Sequence, residues 1–274
     1  MKISIGYSPC PNDTFIFYAL THNKLTSDIE FKETLKDVET LNRLALQKVF
    51  DITKASFYGF GFLRDKYCLL HSGSALGRGC GPLIVARNRI DQQELISKKI
   101  AIPGKMTTAY LLLQMFAPGA KNIVHMPFDR IMNAVSMGSV DAGLIIHESR
   151  FVYPQYDLVK IIDLGEWWEN KTGLPIPLGG ILAQRDLGAT VIGNVDGLIR
   201  QSLEYAFKHP EETVEYIKKN AQELDDEVIE QHIKLYVNDY TRDLGDGIAA
   251  VEKLLEIAEE LNLIPIAEKP IFID

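Results

Sequence analysis

The sequence predicts an α/β protein in two lobes, one of them interrupted by the other. Strand-like and helix-like patterns alternate over the first two thirds of the chain, the signature of helices crossing over between parallel strands. Two similar Gly-led apolar runs, GPLIVAR (81–87) and GGILAQR (179–185), flank a stretch in which that alternation restarts. From Asn194 onward the pattern is almost wholly helical. The lobes are therefore read as residues 1–86 with 184–274, and residues 87–183. The chain crosses between them twice, and a ligand cleft is expected where they face each other.

Each element follows from its pattern. KISIGYS places Ile3 and Ile5 on one face with period 2 and reads as a strand. NDTFIFYALTHNKL follows as a helix, with Asn12 or Asp13 as its N-cap and Phe15, Ala19 and Leu20 on one face. IEFKETL is a second strand, VETLNRLALQKVF an amphipathic helix with Leu41, Leu44 and Ala45 inward, and DITKAS a short third strand. GPLIVAR is an apolar strand ending at Arg87. In the second lobe KKIAIPG, NIVHMPF and DAGLIIH read as strands, with TTAYLLLQMF and DRIMNAVSMGSV as helices between them. GGILAQR returns the chain to the first lobe. Helices around LIRQSLEYAFKH, PEETVEYIKKNA, EVIEQHIKLYVNDY and GIAAVEKLLEIAEEL then cap that lobe, with Pro210 at a helix start, where a missing N–H is tolerated.

Composition excludes several classes of function. The 274 residues are 46% hydrophobic, enough for an ordinary core, and no run approaches the roughly 20 apolar residues of a membrane span. MKISIGYSPC lacks the apolar stretch of a secretory signal. Cys10, Cys68 and Cys80 cannot all pair and fit no zinc spacing, which points to a reducing compartment, a cytoplasmic location and no structural metal. The net charge of -8 argues against a nucleic-acid partner. Glu204 to Glu260 holds 16 acids and 6 bases, so the acidity reads as one solvated helical face. The slightly positive remainder suits a small anionic ligand.

In open α/β sheets ligands collect beyond the carboxyl ends of strands. The first strand delivers SPCPND there, the third Lys54, Ala55 and Ser56, the first strand of the second lobe PGKMTTA, and the strand after Gly143 His147 and Glu148. Thr107 and Thr108 lead into a helix, whose N-terminal N–H groups make a seat for a carboxylate or phosphate; plain N-capping by Thr107 is the other reading. His147 closes an apolar strand and, with an imidazole's ordinary pKa of about 6.5, is placed to accept a proton or to hold a backbone carbonyl. His22, His209 and His232 read as surface residues on polar helices, and His71 and His125 as packing or cleft wall. Cys10 reads as a small buried filler, and Trp167-Trp168 as core or as the wall of an aromatic site. GxGxxG, HExxH, GxSxG and EF-hand patterns do not occur in the sequence, so no cofactor is expected.

SPCPNDTFIFYAL, KAS, PGKMTTA and GLIIH together resemble the 1,4-dihydroxy-6-naphthoate synthases of the futalosine route to menaquinone. The likeness runs over essentially the full length, and SPCPNDTF is its most specific element. It implies the two-lobed, type II periplasmic-binding-protein-like fold used as an enzyme. It also implies conversion of cyclic dehypoxanthine futalosine to 1,4-dihydroxy-6-naphthoate with loss of dihydroxyacetone, a lyase reaction. The family's proton-accepting histidine falls on His147, and its substrate-contacting segments on Lys54-Ala55-Ser56 and Thr107-Thr108. Ser8 and Asn12 are expected to touch the substrate from the first strand's turn. The chorismate dehydratase of the same pathway and a non-catalytic solute-binding protein are the competing readings.

Overall fold

The computed structural model describes residues 1–221 and 225–273. Residues 222–224 and Asp274 of the expected first lobe lie outside the described residues. In chain order the elements are β1 (Lys2–Tyr7), α1 (Pro11–Thr21), β2 (Glu30–Leu35), α2 (Val38–Leu46), β3 (Ile52–Ser56), α3 (Phe57–Gly61), β4 (Tyr67–Leu69) and β5 (Ala75–Gly77). Next come β6 (Leu83–Ala86), α4 (Gln92–Leu95), β7 (Ile100–Ile102), α5 (Thr108–Phe116), β8 (Ile123–His125), α6 (Phe128–Ser136), β9 (Ala142–Ile145), α7 (Ser149–Val152), β10 (Val159–Asp163) and α8 (Leu164–Thr172). The chain ends with β11 (Ile176–Gln184), α9 (Ala189–Lys208), α10 (Pro210–Asn220), α11 (Asp226–Tyr236), α12 (Asp239–Arg242) and α13 (Ile248–Glu260).

Contacts divide the chain into Met1–Gly77 with Pro177–Asp274, and Arg78–Ile176. The first unit carries a six-stranded sheet in the order β2-β1-β3-β11-β4, with β5 pairing on β11. The second carries five strands in the order β10-β6-β9-β7-β8. Both sheets are mixed rather than purely parallel. The two Gly-led runs cause this: β11 is antiparallel to β3 and β4, and β6 is antiparallel to β9 and β10. Because Leu83–Ala86 pairs with β9, it belongs to the second unit. The expected boundary after residue 86 is thus corrected to Gly77–Arg78, and the return from residue 184 to Ile176–Pro177.

Helix α1 shows why the first unit holds its helices close. Its residues from Pro11 to Leu20 are all buried, and from Phe15 to Leu20 it is apolar on every side, so it must be covered all round. Helices α9, α10 and α11 pack against it. On α9 the buried residues Ile192, Val195, Leu198, Ile199, Ser202, Leu203 and Ala206 recur at helical spacing. Ser202 is a polar exception with two partners: its Oγ donates to the Ile16 carbonyl at 2.7 Å and accepts from the Leu20 N–H at 3.0 Å. Each large side chain fully buried in this core, such as Phe17 or Ile199, contributes about 1.5–3 kcal/mol through removal from water. The second unit builds its own core from β7, β9 and the inward faces of α5 and α6, where Leu111, Leu112, Ile131 and Val135 are buried.

Candidate active site

In the first unit β1 and β3 run parallel, Ile5 opposite Ile52, so their carboxyl ends share one sheet edge. The turn after β1 enters α1 at Pro11, with Cys10 in the N-cap position and no side-chain cap bond. This corrects the expectation that Asn12 or Asp13 caps the helix. Proline's fixed φ suits the first helical position, so the helix begins early and both residues fall inside its first turn. The Asp13 carboxylate, 1% exposed, becomes a hub. One oxygen accepts from the Ser8 N–H at 3.2 Å and from Ser8 Oγ at 2.7 Å. The other accepts from Asn12 Nδ2 at 2.9 Å and pairs with Lys54 Nζ at 3.0 Å. Lys54 also donates to the Gly73 carbonyl at 3.1 Å. The helix dipole favours a carboxylate at this end of α1.

Asn12 extends the network. With its amide nitrogen donating to Asp13, its Oδ1 accepts, and the atom facing that oxygen is His232 Nε2 at 2.9 Å. His232 Nε2 is therefore assigned the proton, from the network rather than from an observed hydrogen. His232 is fully buried, which corrects its reading as a surface residue. Ser56 sits apart from this hub and is held by Asn42: its N–H donates to Asn42 Oδ1 at 2.9 Å, and Asn42 Nδ2 donates to its Oγ at 3.1 Å. Ala55 contributes backbone, opposite Gly180. At Gly179 a Cβ would lie 2.6 Å from the Ala55 carbonyl oxygen, so only glycine lets β11 come this close. Ser8, Asn12 and Lys54 thus converge on Asp13, one of the two residues expected to cap the helix. The signal for it is Lys54 itself, a lysine in a wholly buried strand, which needs a buried anion.

In the second unit β7 and β9 run parallel, Ile100 opposite Ala142, and again deliver residues to one edge. Thr107 is the N-cap of α5; its Oγ accepts from the Tyr110 N–H at 3.2 Å and donates to the Gly104 carbonyl at 2.9 Å. Thr107 and Thr108 are both buried. His147 lies two residues past β9, half-buried, with its ring 5.3 Å from that of Phe128. Its φ of 57° is in the left-handed region that side chains with a Cβ avoid. Just beyond it, Arg150 pairs with Asp163 at 3.0 Å and donates to the Gly81 carbonyl. Trp168 is core, fully buried with its indole N–H on the Pro175 carbonyl at 3.1 Å.

None of the three cysteines forms a disulfide, and all three are buried. Burial pushes the Cys80 thiol up to about 12, and raises Cys68 in the same direction. Both stay protonated and weakly reactive at neutral pH. Cys10, 5% exposed, sits at the head of α1.

In each unit, then, polar groups gather at the carboxyl ends of parallel strands, where such sheets take ligands. Fold and strand-end groups together define a protein of the periplasmic-binding-protein-like class. A solved structure of an alkanesulfonate-binding protein from Xanthomonas axonopodis pv. citri, 14% identical, matches with TM-score 0.71 over 97% of this chain and 94% of that one, a likeness of fold alone. The crystal structure of an Archaeoglobus fulgidus protein, 40% identical, matches with TM-score 0.91 over 96% and 98% of the two chains. Residues 3–260 match the family model described as "Menaquinone biosynthesis". Two curated relatives are named "1,4-dihydroxy-6-naphtoate synthase": one from Thermus thermophilus, 50% identical over 99% of both chains, and one from Streptomyces coelicolor, 44% identical over 96% of this chain and 95% of that one. The chain belongs to the menaquinone biosynthesis family. No described helix is long and apolar enough to cross a membrane.

Proposed function

We propose that this chain converts cyclic dehypoxanthine futalosine to 1,4-dihydroxy-6-naphthoate and dihydroxyacetone, acting as a cytoplasmic carbon–carbon lyase that needs no cofactor. The observation that carries the reading is the 50% identity, over 99% of both chains, to a protein bearing that synthase's name. The carboxylate of the anionic substrate is bound by Thr107, Thr108 and the N–H groups opening α5. Lys54, Ala55 and Ser56, with Ser8 and Asn12, hold polar groups of the sugar-derived ring. His147 removes a proton from that ring, and the electron pair left behind drives the carbon–carbon cleavage. Aromatisation of the naphthalene supplies the driving force, so the protein's task is to position the base, stabilise transient oxyanion character and exclude water.

The strained backbone at His147 supports the role given to it, since left-handed residues with a Cβ concentrate where geometry serves chemistry. The test is to mix the purified protein with cyclic dehypoxanthine futalosine and follow naphthoate absorbance, with His147→Ala alongside. Product is expected from the wild type, and a loss of at least about 100-fold in kcat from the variant. A wild type that makes no naphthoate overturns the assignment; a fully active variant overturns the base.

A further inference from the structure

His147 holds a left-handed conformation at φ 57°. For a residue with a Cβ such a conformation persists only where surrounding structure enforces it. Three residues on, Arg150 ties this turn to the structure around it. Its backbone N–H donates to the His147 carbonyl at 3.3 Å, tying it to the turn that carries the imidazole. Its guanidinium, on a side chain 14% exposed, reaches away from that turn to two acceptors: the Gly81 carbonyl, and Asp163 Oδ2 at 3.0 Å.

Those acceptors are themselves fixed. Asp163 Oδ1 accepts from the N–H groups of Gly165 at 2.9 Å and Glu166 at 3.2 Å, which locks the carboxylate to the start of α8. Gly81 and Gly165 press backbone to backbone: a Cβ on Gly81 would lie 2.2 Å from the Gly165 nitrogen. Carbonyl and carboxylate therefore form one rigid patch, and a planar guanidinium is the side-chain group that spans both in a fixed orientation.

We propose that Arg150 is a positioning residue for His147. It clamps the 147–150 turn to the approach to β6 and the end of β10, and so holds the imidazole at the angle from which it accepts the substrate proton. The inference rests on the reading of His147 as the base. Arg150 itself takes no proton and contacts no reacting atom.

The experiment measures kcat and KM for naphthoate formation in Arg150→Met and Arg150→Lys, with circular dichroism and a melting curve on each. A misplaced base costs up to about 100-fold in rate, so Arg150→Met is expected to lose about 10- to 100-fold in kcat with KM within about 2-fold. Added guanidinium ion should restore part of that loss. Arg150→Lys, which keeps the charge without the fork, should fall between the two and serves as the folded comparison should Arg150→Met not fold. Wild-type kcat in Arg150→Met overturns the proposal. So does a loss in Arg150→Met that guanidinium leaves untouched, or a loss in either variant that tracks the loss of folded protein. His147→Ala keeps the two readings apart: if it is fully active the base reading fails first, whereas an inactive His147→Ala beside an unimpaired Arg150→Met sinks only the positioning role.

Discussion

Lys54 lies in a strand whose five residues are all buried, and its ammonium is tolerated there because Asp13 stands 3.0 Å away with its remaining lone pairs satisfied by Ser8 and Asn12. A buried pair of this kind adds little net stability, but removing one partner leaves an uncompensated charge and costs about 3–5 kcal/mol. Lys54→Met should therefore lower the denaturant midpoint markedly, and the double variant Lys54→Met with Asp13→Asn should recover part of the loss; a double variant no more stable than Lys54→Met would count against the pairing. The sequence exposes the members of this network but not their convergence. Ser8, Asn12 and Lys54 each follow from strand-end position, whereas the partner of Asn12 is His232, 220 residues away. A signal for His232 was present: Ile229, His232 and Tyr236 share one helical stripe, all buried, and the polar residues between them masked it.

Among elements, the long periodic ones are legible and the short ones are not. The strands β1, β2 and β3 and the helices α2, α5, α6, α9, α10, α11 and α13 follow from period, whereas β7, β9 and α1 were legible as apolar runs bounded by turn residues. β4 and β5 have three residues each, too few for a period, and β10 is half-exposed with a register shift between Lys160 and Ile162. At α5 the Thr107 hydroxyl that caps the helix also donates to the Gly104 carbonyl and so fixes the turn that enters it. Thr107→Val removes the cap and should cost about 1 kcal/mol of stability, seen as a lower melting temperature. If the end of α5 also binds the substrate carboxylate, KM rises in the same variant; an unchanged KM would leave Thr107 with capping alone.

For the whole molecule, division into two units was readable from the two Gly-led runs, and their pairing was not. Each run looked like a boundary, yet each lies inside a sheet, antiparallel to its neighbours, because pairing partners distant in sequence decide to which sheet a strand belongs. Both units also bury acidic protons. Burial carries Cys80 in the second unit and Tyr67 in the first up to about 12, from ordinary values of 9.0 and 10.0, and raises Tyr7 and Tyr216 further. Below about pH 8 both native and unfolded chains keep these protons. As pH rises, the unfolded chain releases them first, so stability should fall steadily between about pH 9 and 12. Denaturant midpoints taken at about pH 8 and 10.5 check this, and equal midpoints would contradict it.

β11 has a further consequence, for the chain as it is made. The strand sits between β3 and β4 in the first sheet, yet it is translated after the whole of Arg78–Ile176. At about 5–20 residues per second, the ribosome holds the opening strands without their central partner for roughly 5–20 s. During that interval the edges of β3 and β4 stand open to any other extended segment nearby, including the same region of a neighbouring nascent chain. The second unit is contiguous and can close as soon as it emerges. A messenger that stalls before codon 184 would therefore release a product with one finished half and one adhesive one.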